Sequence, residues 1–302
     1  MGISLGANQY GKAENRVVRI YRDTARHEIV DLNVSTSLRG DFAAAHTDGD
    51  QAKVLPTDTQ KNTAFAYAKQ HGVTSPEDYA IALGRHFVDD VDTVDSAQVR
   101  VEQYAWDRIP ISGGNSGANG HDHAFVKRGG AVRTSVVTVG AQGVHVVSGL
   151  QDLVVLKSTG SEFKGYLKDE YTTLPEADDR ILATSLVARW RYEGTSVDWN
   201  KSYDGIQAML LETFATTYSR ALQETLYLMG TAVLETNEDV AEIRFSAPNK
   251  HHFLVDLDRF GLANNGEVFI AADRPYGLIE AQVLRDGASD PGDAWLNVPG
   301  FA

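Results

Sequence analysis

The 302-residue sequence contains no cysteine. That absence excludes disulfides, thiolate nucleophiles, iron–sulfur clusters and cysteine-based zinc sites, so any metal would rest on His, Asp or Glu. Cations are also scarce: 28 Lys and Arg stand against 41 Asp and Glu, a net charge of −13. This balance argues against broad contact with phosphate backbones or anionic lipid, and an anionic ligand would need a local cationic pocket. Long apolar runs are missing too. No stretch approaches the 18 apolar residues of a membrane span, and the start, Met-Gly-Ile-Ser-Leu-Gly-Ala-Asn-Gln-Tyr, has neither a basic opening nor an apolar signal region. A cytoplasmic protein without nucleic-acid or membrane partners is the expectation. What is present is ordinary globular composition, 42% hydrophobic and 23% charged, in a chain long enough for two domains or one large one.

Hydrophobic periodicity organises the chain into two similar halves. Val18 and Ile20, then Val30, Leu32 and Val34, alternate with other residues and predict an antiparallel hairpin with one polar face. After a polar loop from Arg39 to Gln51, Thr57-Asp58 opens a helix that carries Phe65 and Ala68 and stops at Gly72; Thr and Asp in that place suit capping. A second helix follows, with Ser75 as N-cap, Pro76 at the first position, Glu77 and Asp78 facing the positive end of the dipole, and Ile81, Phe87 and Val88 as apolar surface. Strands resume at Ala97, Val99 and Val101. The second half repeats this order. A hairpin through Val144 to Leu156 and a strand at Leu186, Ala188, Trp190 and Tyr192 precede a helical region from Tyr203 to Leu234. That region breaks near Ser219, with Ile206, Leu210 and Phe214 as one stripe and Ser219 placed to cap a helix containing Leu222, Gln223, Leu226 and Met229. Strands return at Ala241, Ile243 and Phe245, then at Phe253, Val255 and Leu257.

Local echoes agree with a duplication. Val54-Leu55-Pro56-Thr57-Asp58 is similar to Ile181-Leu182-Ala183-Thr184-Ser185, and Ala97-Gln98-Val99-Arg100-Val101 to Ala241-Glu242-Ile243-Arg244-Phe245. Two pairs in one order, on matching elements, predict a tandem α+β duplication joined around Gly140–Gly143, with modules at 1–140 and 141–302.

Candidate chemistry is spread along both halves. Gly113-Gly114-Asn115-Ser116-Gly117 lacks the Lys-Ser/Thr of a phosphate loop and reads as a mobile loop. His121-Asp122-His123 has the spacing to chelate a divalent metal but no second ligand cluster near it, and a polar hairpin strand explains it better. At Thr57-Asp58 a helix N-terminus could aim N–H groups and a hydroxyl at an anionic ligand. Taken singly, Lys12 and Gln223 read as solvated side chains, and Arg180, after Asp178-Asp179, as half of a surface ion pair. Asn249-Lys250-His251-His252 opens a strand, with Asn249 and His251 on the face of Phe253. These residues alone do not converge on a reaction.

Longer motifs do. The run Leu153-Val154-Val155-Leu156-Lys157-Ser158-Thr159, followed by Ser161, Phe163, Tyr166, Tyr171, Leu174 and Arg180, resembles the signature of the uricases, or urate oxidases. Val54 to Asn62, Lys168 to Leu174 and Pro248-Asn249-Lys250-His251 are similar to the same family, in the expected order, and the resemblance runs from about Tyr10 to Leu278. It implies the tunnelling fold: two tandem modules, each an antiparallel sheet with helices on one face, oligomerising into a β-barrel tunnel. It also implies oxidation of urate by O2 to 5-hydroxyisourate and hydrogen peroxide with neither metal nor cofactor. By that resemblance Lys12, Thr57 and His251 form a proton relay. Arg180 and Gln223 clamp the purine, Phe163 stacks on it, Leu174 and Leu222 line the pocket, and Thr57 with the backbone of Asp58 meets the opposite edge. Leu222 stands where the family often has Val. Asn249, with Thr57, holds oxygen or the attacking water. The family's sites form between subunits of a homotetramer, so urate, O2 and further copies of the chain are the expected partners. Two other readings stay open: a metal-dependent pterin or purine hydrolase or lyase of the same fold using His121 and His123, and an oligomer that binds purine without turning it over.

Overall fold

The structure, a computed structural model, describes residues 2–111 and 120–301. The glycine-rich stretch Gly113–Gly117 lies outside the described residues. The chain forms two compact units: Met1–Gly149 with Arg191–Asn200 and Ser289–Val298, and Leu150–Trp190 with Lys201–Ala288 and Pro299–Ala302.

The first unit begins with the hairpin β1 (Asn15–Tyr21) and β2 (Glu28–Gly40). Helices α1 (Ala43–Thr47), α2 (Thr57–Gln70) and α3 (Pro76–Asp89) follow, then β3 (Val94–Tyr104), a short ribbon of β4 (Trp106–Arg108) and β5 (Phe125–Lys127), and β6 (Val132–Gly140). Its strand order is β1-β2-β3-β6, antiparallel at each of these pairings. β7 (Gly143–Lys157) continues the order and carries the chain into the second unit, which contains most of β8 (Leu182–Tyr192) and of α4 (Trp199–Thr216), and all of α5 (Leu222–Thr236), β9 (Val240–Pro248), a ribbon of β10 (His251–Leu254) and β11 (Phe269–Ala272), and β12 (Leu278–Leu284); the end of β8 and the first residues of α4 belong to the first unit. Here the order is β7-β8-β9-β12. Each half therefore runs through two strands, helices, a strand, a two-stranded ribbon and a closing strand.

The repeat reaches single residues. A Cβ added at Gly84 in α3 would lie 2.7 Å from Val139 and 3.9 Å from Val99, and one added at Gly230 in α5 would lie 2.5 Å from Val283 and 3.2 Å from Ile243. Both helices meet their sheets at a glycine, on corresponding strands, because only a residue without Cβ permits that approach. α3 forms as its caps predict: Ser75 Oγ accepts the Asp78 N–H at 3.0 Å, Pro76 occupies the first turn, and Ala80, Leu83 and Phe87 are buried. Each such Leu or Phe contributes about 1.5–3 kcal/mol relative to exposure. Ile206, Leu210 and Phe214 form the expected buried stripe of α4.

Several local expectations are corrected. Val18 and Ile20 are 54% and 38% exposed; the register instead sets Val17 against Leu32, and these two enter the core. Slipping by one residue exchanges the faces of a strand, and the run Val17-Val18 made both choices apolar. Val144 to Leu156 lies within the single strand β7, and the turn falls before it, where Gly143 takes φ +100°. Phe65 faces outward because α2 buries the small Ala64 and Ala68 together with Gln60. Ala221, rather than Ser219, is the N-cap of α5, and the Ser219 hydroxyl donates to Ala221 O at 3.1 Å. In the ribbon, Phe253 and Leu254 are both half exposed.

The C-terminal segment of the first unit packs on the sheet face away from α3. Ala294, Trp295 and Val298 cluster with Val136 and Val147, and Gln98 Nε2 donates to Leu296 O at 2.7 Å.

Candidate active site

In the first unit, Lys12 lies on a segment that runs against β2. Tyr10 and Leu38 exchange backbone hydrogen bonds of 3.1 and 2.7 Å, and the Thr36 N–H donates to Lys12 O at 2.8 Å. The intervening Gly11 allows this closeness: a Cβ there would sit 1.8 Å from Thr36 O. Tyr10 also packs edge-on against Phe42, with centroids 4.8 Å apart, and its hydroxyl donates to Leu55 O at 3.0 Å. This pins the segment to the chain two residues before Thr57.

Thr57 does not cap its helix, because Pro56, in an extended conformation, occupies the N-cap and Thr57 is the first helical residue. Its side chain is exposed, and its hydroxyl has no hydrogen-bond partner among the described residues. Asp58, also exposed, pairs with Lys61 and accepts from Asn62 Nδ2 at 3.0 Å. The Lys61 hydrogen bond and charge, aided by Asn62 and by Lys12, hold its carboxyl below the usual carboxylate range. Lys12, Thr57 and Asp58 are thus gathered at one helix start.

The second unit gathers another set around one bridge. Ser161 pairs in parallel with Ser219: Ser219 N donates to Gly160 O at 3.0 Å, and Glu162 N to Ser219 O at 2.9 Å. The Ser219 hydroxyl also accepts from Thr225 in α5 at 2.8 Å. Phe163 follows this bridge on one side, and Leu222 and Gln223 open α5 on the other. Arg180 joins them through its N–H, which donates to Ser161 O at 2.7 Å. Its guanidinium carbon lies 4.9 Å from the Phe163 centroid, and the Phe163 ring stacks with Tyr166, centroids 4.9 Å apart.

The two acidic neighbours of Arg180 are engaged elsewhere. Asp178 pairs with Lys164 at 2.7 Å, and Asp179 accepts from the Thr159 hydroxyl at 2.6 Å. The surface ion pair expected for Arg180 does not form among the described residues. Desolvation instead lowers its pKa, and its Nε is buried without a hydrogen-bond partner among them. Leu222 is buried, Gln223 is exposed, and Leu174, 55% exposed, accepts the Tyr166 hydroxyl on its carbonyl.

Asn249 bridges Thr184 at the start of β8, its N–H donating to Gly277 O at 2.8 Å. His251 opens β10 opposite Ala272, and its ring stacks on Phe253 at 5.7 Å, so both are on one side as expected. No hydrogen bond or ring contact among the described residues joins the His251 imidazole to Arg180, Phe163 or Asn249.

His121-Asp122-His123 is tied into the first unit. Asp122 pairs with Arg26 at 3.1 Å, and His121 Nδ1 accepts the His123 N–H at 3.3 Å. The described residues contain no group of three or more His, Cys, Asp or Glu placed to hold a metal.

Two buried polar residues linked to the Lys12 segment were missed in the sequence: Thr36 and Gln60. Both are buried, and the Thr36 hydroxyl donates to Gln60 Oε1 at 2.7 Å. Their signal was present. Thr36 falls on the apolar parity of Val34 and Leu38, and Gln60 on the helical stripe of Ala64 and Ala68; a polar residue on an apolar face needs a partner.

The chain matches the uricase family model over residues 8–138 and 146–280. It is 51% identical to the uricase of Arthrobacter globiformis over 299 residues, covering 99% of this chain and 96% of that one. Its identity to the Dictyostelium discoideum uricase is 36%, covering 92% and 96%. Among solved structures, the Arthrobacter globiformis uricase superposes with a TM-score of 0.93 over 98% of this chain and all of that one. A uricase from Bacillus fastidious, 25% identical, gives 0.79 over 93% and 94%. The fold and these matches define a tandem α+β protein of the tunnelling type. The chain belongs to the uricase family.

Proposed function

We propose that the protein is a urate oxidase, converting urate, O2 and water to 5-hydroxyisourate and hydrogen peroxide without metal or organic cofactor. Two electrons leave the purine for O2, which takes up two protons, while water supplies the new hydroxyl. Ground-state O2 accepts electrons singly, so the purine must first become electron-rich by losing a proton. Lys12, Thr57 and His251 form the relay that removes it: a hydroxyl is a poor base alone, but next to a lysine it passes a proton on. Arg180 and Gln223 hold the oxygens and ring nitrogens of the planar anion, with Phe163 against its face. Leu174 and Leu222 line the pocket, the Asp58 backbone with Thr57 meets the far edge, and Asn249 with Thr57 holds O2 or water.

The observation that carries this reading is the Arg180 guanidinium, partly desolvated, unmatched by its acidic neighbours and 4.9 Å from the Phe163 ring. In a chain of net charge −13, a cation left for an aromatic face suits a planar anion. Family membership supplies urate as that anion.

The repeated element order supports two modules, 1–140 and 141–302. Lys12 and Thr57 lie in the first unit, and the clamp and His251 in the second. Family membership supports a homotetramer whose sites are completed across subunits, the first pair from one copy and the clamp from another.

Oxygen uptake and peroxide formation on adding urate, in a strong chelator and with urate absorbance followed in parallel, test the reading. Equal consumption of urate and O2, unaffected by chelation, is expected. Binding of urate without uptake, or uptake abolished by the chelator and restored by metal, would overturn it.

A further inference from the structure

We propose that Thr36 and Gln60 are positioning residues that set the spacing of Lys12 and Thr57. The inference rests on the reading that these two side chains act as one relay. Lys12 is on a segment beside β2, Thr57 on the first turn of α2, and neither side chain is fixed by a hydrogen bond among the described residues. Their relative placement must come from the backbone.

A closed set of hydrogen bonds supplies it. The Lys12 N–H donates to Thr36 Oγ1 at 3.3 Å, and the Thr36 hydroxyl donates onward to Gln60 Oε1 at 2.7 Å. Gln60 Nε2 turns back to Leu55 O at 3.4 Å, where the Tyr10 hydroxyl also donates. The Gln60 N–H closes the first turn of α2 on Pro56 O at 3.2 Å. Thr36 is therefore the node: its backbone N–H holds Lys12 O, and its hydroxyl joins Lys12 N to the helix that bears Thr57.

Burial makes this bracket stiff. Gln60 is fully buried and Thr36 nearly so. An unsatisfied amide or hydroxyl there costs more than the bond itself contributes, which fixes both rotamers. Relay chemistry is steep in distance, so a small shift of the Lys12 segment lowers turnover without touching the purine clamp.

The test is Thr36→Val, which keeps shape and branching and removes the hydroxyl, beside Thr36→Ser, which keeps it. In the assembled enzyme Thr36→Val is expected to lower kcat roughly 10- to 100-fold at nearly unchanged urate KM. The acid limb of the kcat–pH profile should move, and Thr36→Ser should restore both. In a Lys12→Met background Thr36→Val should cost little more, since the two act on one step. A lower melting temperature with parental kcat and pH profile would show a purely structural bond and overturn the proposal. If Thr36→Val does not fold, Gln60→Met breaks the bracket from its other end and is read by the same criteria. Lys12→Met with parental kcat would overturn the relay and this inference together; a crippled Lys12→Met beside an unaffected Thr36→Val would overturn the positioning role alone.

Discussion

Arg180 illustrates how far neighbours in sequence mislead at the level of one residue. Asp178 and Asp179 precede it, yet Lys164 takes the first and Thr159 the second, leaving the guanidinium beside Phe163. A planar fork at that place binds carboxylate-like or imide oxygens in two parallel hydrogen bonds, each worth about 1.5–3 kcal/mol when charged. Arg180→Ala is therefore expected to raise the urate KM about 100-fold or more. Arg180→Lys should recover little of it, because an ammonium keeps the charge but not the fork. Steady-state kinetics decide; a parental KM in either variant would remove Arg180 from the clamp. The residue was legible in the sequence only through its family motif. Its isolation from Asp178 and Asp179 was not, since it depends on which loops bring Lys164 and Thr159 to those carboxylates.

Among the elements, α3 is the one whose sequence signals were most complete and still left out its chief contact. Ser75, Pro76 and Asp78 behave as a helix start should. Glu77 is in the first turn as expected, but it is also buried, its carboxylate accepting from Arg133 in β6 at 2.7 Å and from Ser148 in β7 at 2.7 Å. Burial pushes that carboxyl up, and Arg133 and Ser148 pull it back. Arg133 also donates to Asn200 Oδ1 at 2.7 Å, and Trp199 Nε1 donates to Asp78 at 2.8 Å, so the start of α4 is held by the same cluster. Removing one member strands the other charge in the interior. Glu77→Leu should cost about 3–5 kcal/mol in denaturant unfolding, while loss of less than about 1 kcal/mol would mean that solvent reaches Arg133. Nothing local to the helix announced this, because Arg133 and Ser148 are 56 and 71 residues away.

For the molecule as a whole, acidity is the dominant variable. Asp58, Asp107, Glu176 and Glu224 all have pKa values lowered, first by hydrogen bonds from Lys61, Arg128, Lys168 and Arg220 respectively. A carboxyl held lower in the folded chain than in the unfolded one contributes stability that is complete above the unfolded value. That stability is lost as pH falls through the lower folded value. The melting temperature should thus hold steady from neutral pH to about 5 and fall below about 4, where the unfolded carboxylates protonate first. Asp107→Asn with Glu176→Gln should flatten that limb; an unchanged slope would show that these exposed pairs contribute nothing measurable.

Much of this protein is set by its sequence alone. The caps of α3, the stripe of α4, the repeated order of strands and helices and the uricase motifs all depend on residues close in the chain, where dihedral preference and periodicity act directly. The tertiary structure decided the rest. It chose Val17 over Val18 for the core, placed Gly84 and Gly230 where helix meets sheet, and turned Thr36 and Gln60 from two misplaced polar residues into one buried bond. Each of those outcomes needs a partner from a distant strand or helix. Whether a polar group is satisfied or a side chain fits is a property of the pair, and no single stretch of chain contains both members.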